Sequence, residues 1–171
     1  MEANENTNMT GFTHFDENGN AVMVDVSGKS ETSRTAVATG KILVNEEILS
    51  AVRENRVKKG DVLGVARVAG IMAVKQTPNL IPMCHTLLIN KCTVDFETDE
   101  KEKSIRVFCT VKCDGKTGVE MEALTGATVA LLTVYDMCKA VSKEMVLEDV
   151  HLLTKTGGKS GDFVFGKSVS L

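Results

Sequence analysis

Residues 62–74 constrain the fold more than any other stretch, because ten of these thirteen positions are Val, Leu, Ile, Met or Ala. Asp61 can cap a helix that starts here, and its apolar side chains then lie on nearly every side. A helix of that kind is buried in the interior of a protein. The only two prolines, Pro78 and Pro82, follow it and predict a rigid loop, since proline fixes φ and removes a donor.

The segments around this helix predict an α+β domain. In chain order they are a strand at 35–44, a short helix capped by Asn45, the apolar helix, a hairpin of strands at 87–97 and 104–112, a helix at 119–142 and a strand at 146–156. This order predicts an antiparallel sheet with helices packed on one face. The length of 171 residues fits one domain. Because the first twenty residues are mostly polar, we expect a flexible arm at 1–20 and a single domain at 21–171.

Charge and composition argue against two classes of protein. The net charge is −3, and six Phe and one Tyr are the only large aromatic residues, which does not suit a nucleic-acid-binding protein. No apolar run approaches the ~20 residues of a membrane span. The first ten residues are polar and lack the pattern of a secretory signal, so we expect a cytoplasmic protein.

The five cysteines do not suggest a metal or disulfide site. Their odd number in a chain of this size disfavours a disulfide framework. Cys109 and Cys113 lie in an alternating segment, where four strand residues span about 13 Å, too far for one tetrahedral metal site. We therefore interpret them as buried apolar residues and predict no metal site.

Two Gly-Lys strings invite comparison with phosphate-binding loops. The P-loop motif needs a glycine five positions before the Gly-Lys pair, but those positions hold Thr110 and Leu153. The spacing therefore excludes a P-loop. The strings at 115–118 and 157–161 remain either turns whose N–H groups and lysines hold an anion, or ordinary solvated turns.

Two further groups of residues have chemistry that spacing alone leaves open. Along the helix at 119–142 and its continuation, Glu122 and Lys143 lie 40° and 20° from the direction of Asp136 at 100° per residue, and Lys139 is three residues after Asp136. They are either a surface ion pair or a partly desolvated acid–base group with a lysine pKa nearer neutrality. Cys84 and His85 should point to opposite faces if the chain is extended there, with His85 either functional or structural.

Seven strings taken together resemble one known family. They are MVDVS at 23–27, KGDV at 59–62, ARVAGI at 66–71, LIPMCH at 80–85, GKTGVEMEALT at 115–125, YDMCKA at 135–140 and KTGGKSGDF at 155–163. In this order they closely resemble the cyclic pyranopterin monophosphate synthases, the family of molybdenum-cofactor biosynthesis protein C.

The resemblance implies a fold, an assembly and a reaction. The fold would be ferredoxin-like, and the protein a homohexamer, a trimer of dimers with active sites at subunit interfaces. The substrate would be 3′,8-cyclo-7,8-dihydro-GTP, converted to cyclic pyranopterin monophosphate with release of pyrophosphate by a lyase without a protein-bound cofactor. A non-catalytic pterin- or nucleotide-binding regulator on the same fold is the alternative, since fold alone does not settle function.

The resemblance also implies roles for individual residues. Asp136 would be catalytic, with Lys139 and Lys59 as proton-transfer partners. The substrate-binding residues would be Met83, Cys84, His85, Met121 and Glu122, together with Arg34, Lys155 and Lys159 as phosphate ligands.

Overall fold

The computed structural model describes Asp16, residues 18–54 and residues 56–167. Most of the predicted arm, residues 1–15 and 17, therefore lies outside the described residues. The elements are β1 (Thr32–Leu43), α1 (Glu46–Arg53), α2 (Val62–Leu80), β2 (Ile89–Asp99), β3 (Ser104–Gly115), α3 (Glu120–Cys138), β4 (Val146–Thr156) and β5 (Phe163–Val164).

The five strands form one antiparallel sheet in the order β2-β3-β1-β4-β5. Without β5, the sheet has the order β4-β1-β3-β2, and α2 and α3 connect its strands as in a ferredoxin-like βαββαβ unit. The predicted α+β fold is confirmed. The short strand β5 was not predicted, because two residues are too few to show an alternating pattern.

The core lies between the sheet and the two long helices. Alternate residues of β1 and β3 are fully buried against the small side chains of α3, including Ala38, Val107, Cys109 and Ala127. Cys113 is also buried, and both cysteines are free thiols, which confirms their interpretation as apolar core residues.

Side-chain caps fix where the first two helices begin. The Asn45 side chain accepts a hydrogen bond of 2.9 Å from the Ile48 N–H, and the Asp61 side chain accepts one of 2.8 Å from the Gly64 N–H. Each carboxyl or amide oxygen thereby pairs one of the N–H groups that a helix leaves free at its start. Both predicted caps are confirmed.

The ends of α2 and α3 differ from the prediction. Helix α2 continues through Pro78 to Leu80, so a rigid loop beginning at Pro78 was wrong. The helix ends where Ile81, which precedes Pro82, adopts an extended conformation with φ −112° and ψ 104°. Helix α3 ends at Cys138, so Lys143 lies outside it and does not share the predicted helical face.

One face of α2 is exposed in the single chain, contrary to the expectation of a helix buried all round. Val65, Val68 and Met72 are 47%, 61% and 49% exposed and lie on one stripe at i, i+3 and i+7. Leu132 on α3 is also about half exposed. The rest of α2 packs against α3 and β2.

Two glycines set the contact between α2 and α3. A Cβ on Gly70 would lie 2.9 Å from the Gly126 carbonyl oxygen, and one on Gly126 would lie 2.6 Å from Cys109 Sγ and 2.7 Å from Val74 Cγ2. The backbones therefore approach more closely than any side chain permits. Through Gly126, α3 also lies tightly on β3, which fixes the position of both its ends.

We expect Gly126→Ala to lower the free energy of unfolding. Overpacking costs about 1–3 kcal/mol, whereas alanine favours the helix by about 1 kcal/mol, so the net loss should be about 1 kcal/mol in urea unfolding. The control is Gln76→Ala on the exposed side of α2, which should change stability by less than about 0.5 kcal/mol. A stabilised Gly126→Ala variant would contradict this account of the helix contact.

Candidate active site

A cavity of about 250 Å³ lies where the loop after α2 meets the start of α3 and the segment 24–29. Five of the residues predicted to bind substrate line it: Met83, Cys84, His85, Met121 and Glu122. Cys84 and His85 share this cavity, so the expectation that they face opposite sides was wrong. The chain at 84–88 is irregular instead of a strand, and the alternation of a strand does not apply.

His85 joins this cavity to the segment that precedes β1. Its Nε2 lies 2.8 Å from the Val24 carbonyl oxygen. Because a carbonyl only accepts, Nε2 carries a proton in this contact. Val24 itself lines the cavity, so the histidine holds one wall in place as well as contributing to the lining.

Glu122 is the one buried carboxyl group of the cavity. Only 3% of the residue is exposed. It lies in the first turn of α3, where the helix dipole favours a negative charge. Burial raises the pKa of Glu122, because desolvation disfavours the charged form. Burial, and secondarily the charge of Glu122, raises the pKa of the Cys84 thiol. A carboxyl group in this environment can hold a proton and release it to a ligand.

A second cavity of about 730 Å³ adjoins the first and is strongly cationic. Its charged lining residues are Lys29, Arg34, Lys116, Lys155 and Lys159, with Glu120 as the acidic one. Four residues line both cavities: Lys29, Thr117, Gly118 and Glu120. Together they form one cleft with a cationic half and a smaller, mixed half, and we call it the cleft below.

Hydrogen bonds to backbone oxygens hold two of these cations. Arg34 Nε donates to the Gly115 carbonyl at 3.3 Å, and Lys116 Nζ donates to the Ser27 carbonyl at 2.9 Å. The glycine-rich turn at 115–118 thus lies in a cationic setting, which favours the first of the two interpretations left open by spacing. Lys29 was not predicted, and its Ser-Gly-Lys-Ser turn was the available signal.

Lys59, Asp136 and Lys139 meet at the other end of α3, in a group that we call the Asp136 cluster. Lys139 Nζ lies 2.6 Å from Asp136 Oδ1, and Lys59 Nζ lies 3.5 Å from Asp136 Oδ2. Lys59 Nζ also donates to the Asp136 carbonyl at 2.9 Å. That carbonyl is among the last four of the helix, which lack a helical partner. Lys59 therefore pairs a free carbonyl at the end of α3 and also contacts the Asp136 carboxylate.

The electrostatics of the Asp136 cluster are those of an exposed ion pair. The hydrogen bond from Lys139 and the charges of both lysines lower the pKa of Asp136, and the bond to Asp136 raises the pKa of Lys139. The expected lysine pKa nearer neutrality is therefore wrong for the single chain. The physical reason is solvent, since the side chains of Asp136 and Lys139 are 60% and 50% exposed.

The Asp136 cluster does not reach the cleft within one chain. Glu122 and Asp136 are fourteen residues apart on α3, which is about 21 Å along the axis. Lys59, Asp136 and Lys139 line neither cavity. The predicted site residues therefore form two groups at opposite ends of one helix.

The described residues contain neither a cluster of metal ligands nor a membrane-spanning helix. Among residues 18–54 and 56–167 and Asp16, no three His, Cys, Asp or Glu side chains are grouped as metal ligands. No helix in the same part of the chain is long and apolar enough to cross a membrane.

Comparison with known proteins identifies the family. The MoaC family matches residues 23–158, most of the chain. This chain belongs to the MoaC family. The chain is 59% identical over 154 residues to the cyclic pyranopterin monophosphate synthase of Clostridium perfringens strain SM101, covering 90% of this chain and 98% of the relative. It is 58% identical to that of Clostridium botulinum strain Alaska E43 over 90% of this chain and 96% of the relative.

A third relative, from another genus, gives the same result. The cyclic pyranopterin monophosphate synthase of a Nocardioides species is 59% identical, covering 89% of this chain and 94% of the relative. The family expected from the seven strings is thus confirmed. The range matched by the MoaC family contains both groups of site residues except Lys159.

We expect Glu122→Gln to change how stability depends on pH. The folded-state pKa of Glu122 is raised, so its protonated form stabilises the fold below the unfolded pKa of about 4.3, and that contribution is lost as pH rises through the folded pKa. The variant should therefore be more stable than the parent at neutral pH, with the difference closing below about pH 4. Urea unfolding across pH 3–8 measures this.

Glu100→Gln is the control, because Glu100 is an exposed carboxylate in an ion pair with Arg53. Its stability difference from the parent should stay small over the whole range, about 0.5 kcal/mol or less. A parallel pH profile for Glu122→Gln and Glu100→Gln would show that burial of Glu122 has no energetic consequence.

Proposed function

We propose that this chain is a cyclic pyranopterin monophosphate synthase. It converts 3′,8-cyclo-7,8-dihydro-GTP to cyclic pyranopterin monophosphate and pyrophosphate, as a lyase in molybdenum-cofactor biosynthesis. The observation that supports this most is the cleft, whose cationic half adjoins a cavity lined by His85 and the buried Glu122. The names of relatives at up to 59% identity support the same activity. A cytoplasmic location belongs to this proposal, because the substrate derives from GTP.

The shape and charge of the cleft suit such a substrate. Arg34, Lys155 and Lys159 lie in the larger cavity and supply the positive charge that three phosphate groups require. Loss of pyrophosphate develops negative charge on the leaving oxygens, which fixed cations stabilise. The ring system then occupies the smaller cavity, with Met83, Cys84 and Met121 against its faces and His85 and Glu122 as its polar contacts.

Ring opening and closure require protons to move between nitrogen and oxygen atoms. His85, Glu122, Asp136, Lys59 and Lys139 offer groups of different proton affinity for these transfers. In this proposal Asp136 and Lys139 are the central pair, and Lys59 is the second lysine. The contacts of the Asp136 carboxylate with both ammonium groups, at 2.6 and 3.5 Å, support treating the three as one unit.

The distance between the Asp136 cluster and the cleft leads us to propose that each active site combines two copies of the chain. One copy supplies the cleft and another supplies the Asp136 cluster. The exposed apolar stripe of Val65, Val68 and Met72 supports such an assembly, because monomers rarely leave aligned apolar residues in water. A homohexamer built as a trimer of dimers is the form that we propose.

We expect Asp136→Asn and Lys139→Ala each to lower the rate of product formation by at least about 10²–10⁴-fold, the range of general acid–base catalysis. The double variant should be little slower than either single variant, because groups that act as a unit lose activity together. Single-turnover pyrophosphate release from the cyclised GTP measures all three, with circular dichroism to verify folding.

Asp95→Asn, an exposed carboxylate on β2 that lines neither cavity, is the matched control and should keep the parental rate. Losses that multiply in the double variant would show that Asp136 and Lys139 act independently. A parent that releases no pyrophosphate from the cyclised GTP would rule out the proposed activity and favour the non-catalytic regulator.

Mixed assemblies test whether the site is shared between copies. Asp136→Asn and His85→Ala assemblies should each be nearly inactive. When the two variants are refolded together, half of the paired copies are heterodimers with one intact site in two, so about a quarter of parental activity should return. Light scattering verifies the oligomer. No recovery from a well-mixed oligomer, or full activity of a monomer, would contradict a shared site.

A further inference from the structure

The loop between β4 and β5, residues 157–162, lies along the cationic half of the cleft. It returns the chain so that Lys155 on β4 pairs with Phe163 on β5. Inside the loop, the Gly157 N–H donates to Asp162 Oδ1 at 3.3 Å and the Gly161 N–H donates to the Gly158 carbonyl at 3.3 Å. These two bonds close the loop on itself.

Ser160 is the loop residue that contacts a cation of the cleft. Lys155 Nζ donates a hydrogen bond to Ser160 Oγ, and both residues line the larger cavity. A lysine side chain has four rotatable bonds, and a fixed acceptor at its tip selects one direction for the ammonium group. Because the Ser160 oxygen accepts from Lys155, its own O–H remains free to donate to an anionic oxygen in the cavity.

We propose that Ser160 is a positioning residue for Lys155 and holds its ammonium group toward the terminal phosphates of the substrate. The assignment rests on the proposed function for the identity of the substrate. The ligand class is a pyrophosphate-like anion, which the Lys155 ammonium group binds while the Ser160 hydroxyl group orients that ammonium group.

Gly158, in the same loop, contacts a second cation of the cleft, Arg34 on β1. Its φ is +85°, and a Cβ there would overlap the guanidinium group of Arg34. The bare Cα is thus the surface on which Arg34 lies, while Gly115 accepts from its Nε. Gly161 has a comparable φ of +69° but no atom within 4 Å of a Cβ, so it is a matched control for backbone strain alone.

Calorimetry with inorganic pyrophosphate as the probe tests the assignment on the full chain. Ser160→Ala should weaken pyrophosphate binding by about three- to ten-fold, as expected for one lost hydrogen bond. Ser160→Thr, which keeps the hydroxyl group, should restore the affinity. Lys155→Ala should weaken binding more, and adding Ser160→Ala to it should produce little further loss, because Ser160 acts largely through Lys155.

Two controls separate positioning from general damage. Ser50→Ala removes a serine that hydrogen-bonds Glu54 outside the cleft, and it should leave pyrophosphate binding unchanged. Gly158→Ala should weaken binding more than Gly161→Ala. Thermal melting of each variant verifies that it is folded.

Unchanged affinity in Ser160→Ala, no rescue by Ser160→Thr, or losses that multiply with Lys155→Ala would overturn the assignment. Equal losses in Gly158→Ala and Gly161→Ala would overturn the role of Gly158. A parent that does not bind pyrophosphate would overturn the anion site as a whole. Ser160-dependent binding in a parent that forms no product would support Ser160 and contradict only the proposed activity.

Discussion

The close contact of α2 and α3 at Gly70 and Gly126 sets where the functional groups of α3 lie relative to the sheet. Because no side chain separates the two backbones there, α3 is held against both α2 and β3 at its middle. Glu122 and Asp136 lie on either side of this contact, toward opposite ends of α3. The site thus depends on two residues that have no side chain.

The two ends of α3 place opposite demands on charge. At its start, Glu122 is buried and its pKa is raised, although the helix dipole there favours a negative charge. At its end, Lys59 and Lys139 lie where the dipole favours positive charge, and their contacts lower the pKa of Asp136. At the start of α3, burial has a larger effect on the pKa of Glu122 than the dipole has. At its end, Asp136 is exposed, so desolvation is small and the lysine contacts lower its pKa.

Local chemistry in the sequence predicted much of this structure. Asn45 and Asp61 were identified as caps because their side chains act within three residues, and the strand at 146–156 was found from its pattern and the turns around it. Pro78 was misread because a proline in the last turn removes only one hydrogen bond, which packing of α2 tolerates. The failure at Cys84 and His85 has a similar origin, since a turn after Pro82 replaces the extended chain that was assumed.

The angles of residues around a helix could not predict how far apart two residues lie along its axis, or which of its faces another element covers. Glu122 and Asp136 do share a direction on α3, but a projection down the axis hides the about 21 Å between them. The same projection could not show that Val65 and Val68 would stay exposed, because whether an apolar face is covered depends on what packs against it. Sequence motifs predicted the residues of the site, and the structure shows how the predicted residues are divided between the two ends of α3.

That division bears directly on the chemistry of Lys139. In the single chain its ammonium group is stabilised by Asp136 and by water, so its pKa is raised and it is a poor proton donor. Placing the cationic cleft of another copy over the Asp136 cluster would remove water and add positive charge from residues such as Arg34. Both changes disfavour a charged lysine and lower its pKa. Assembly would then do more than complete the list of residues, since it would convert a stable surface ion pair into a group that can release a proton.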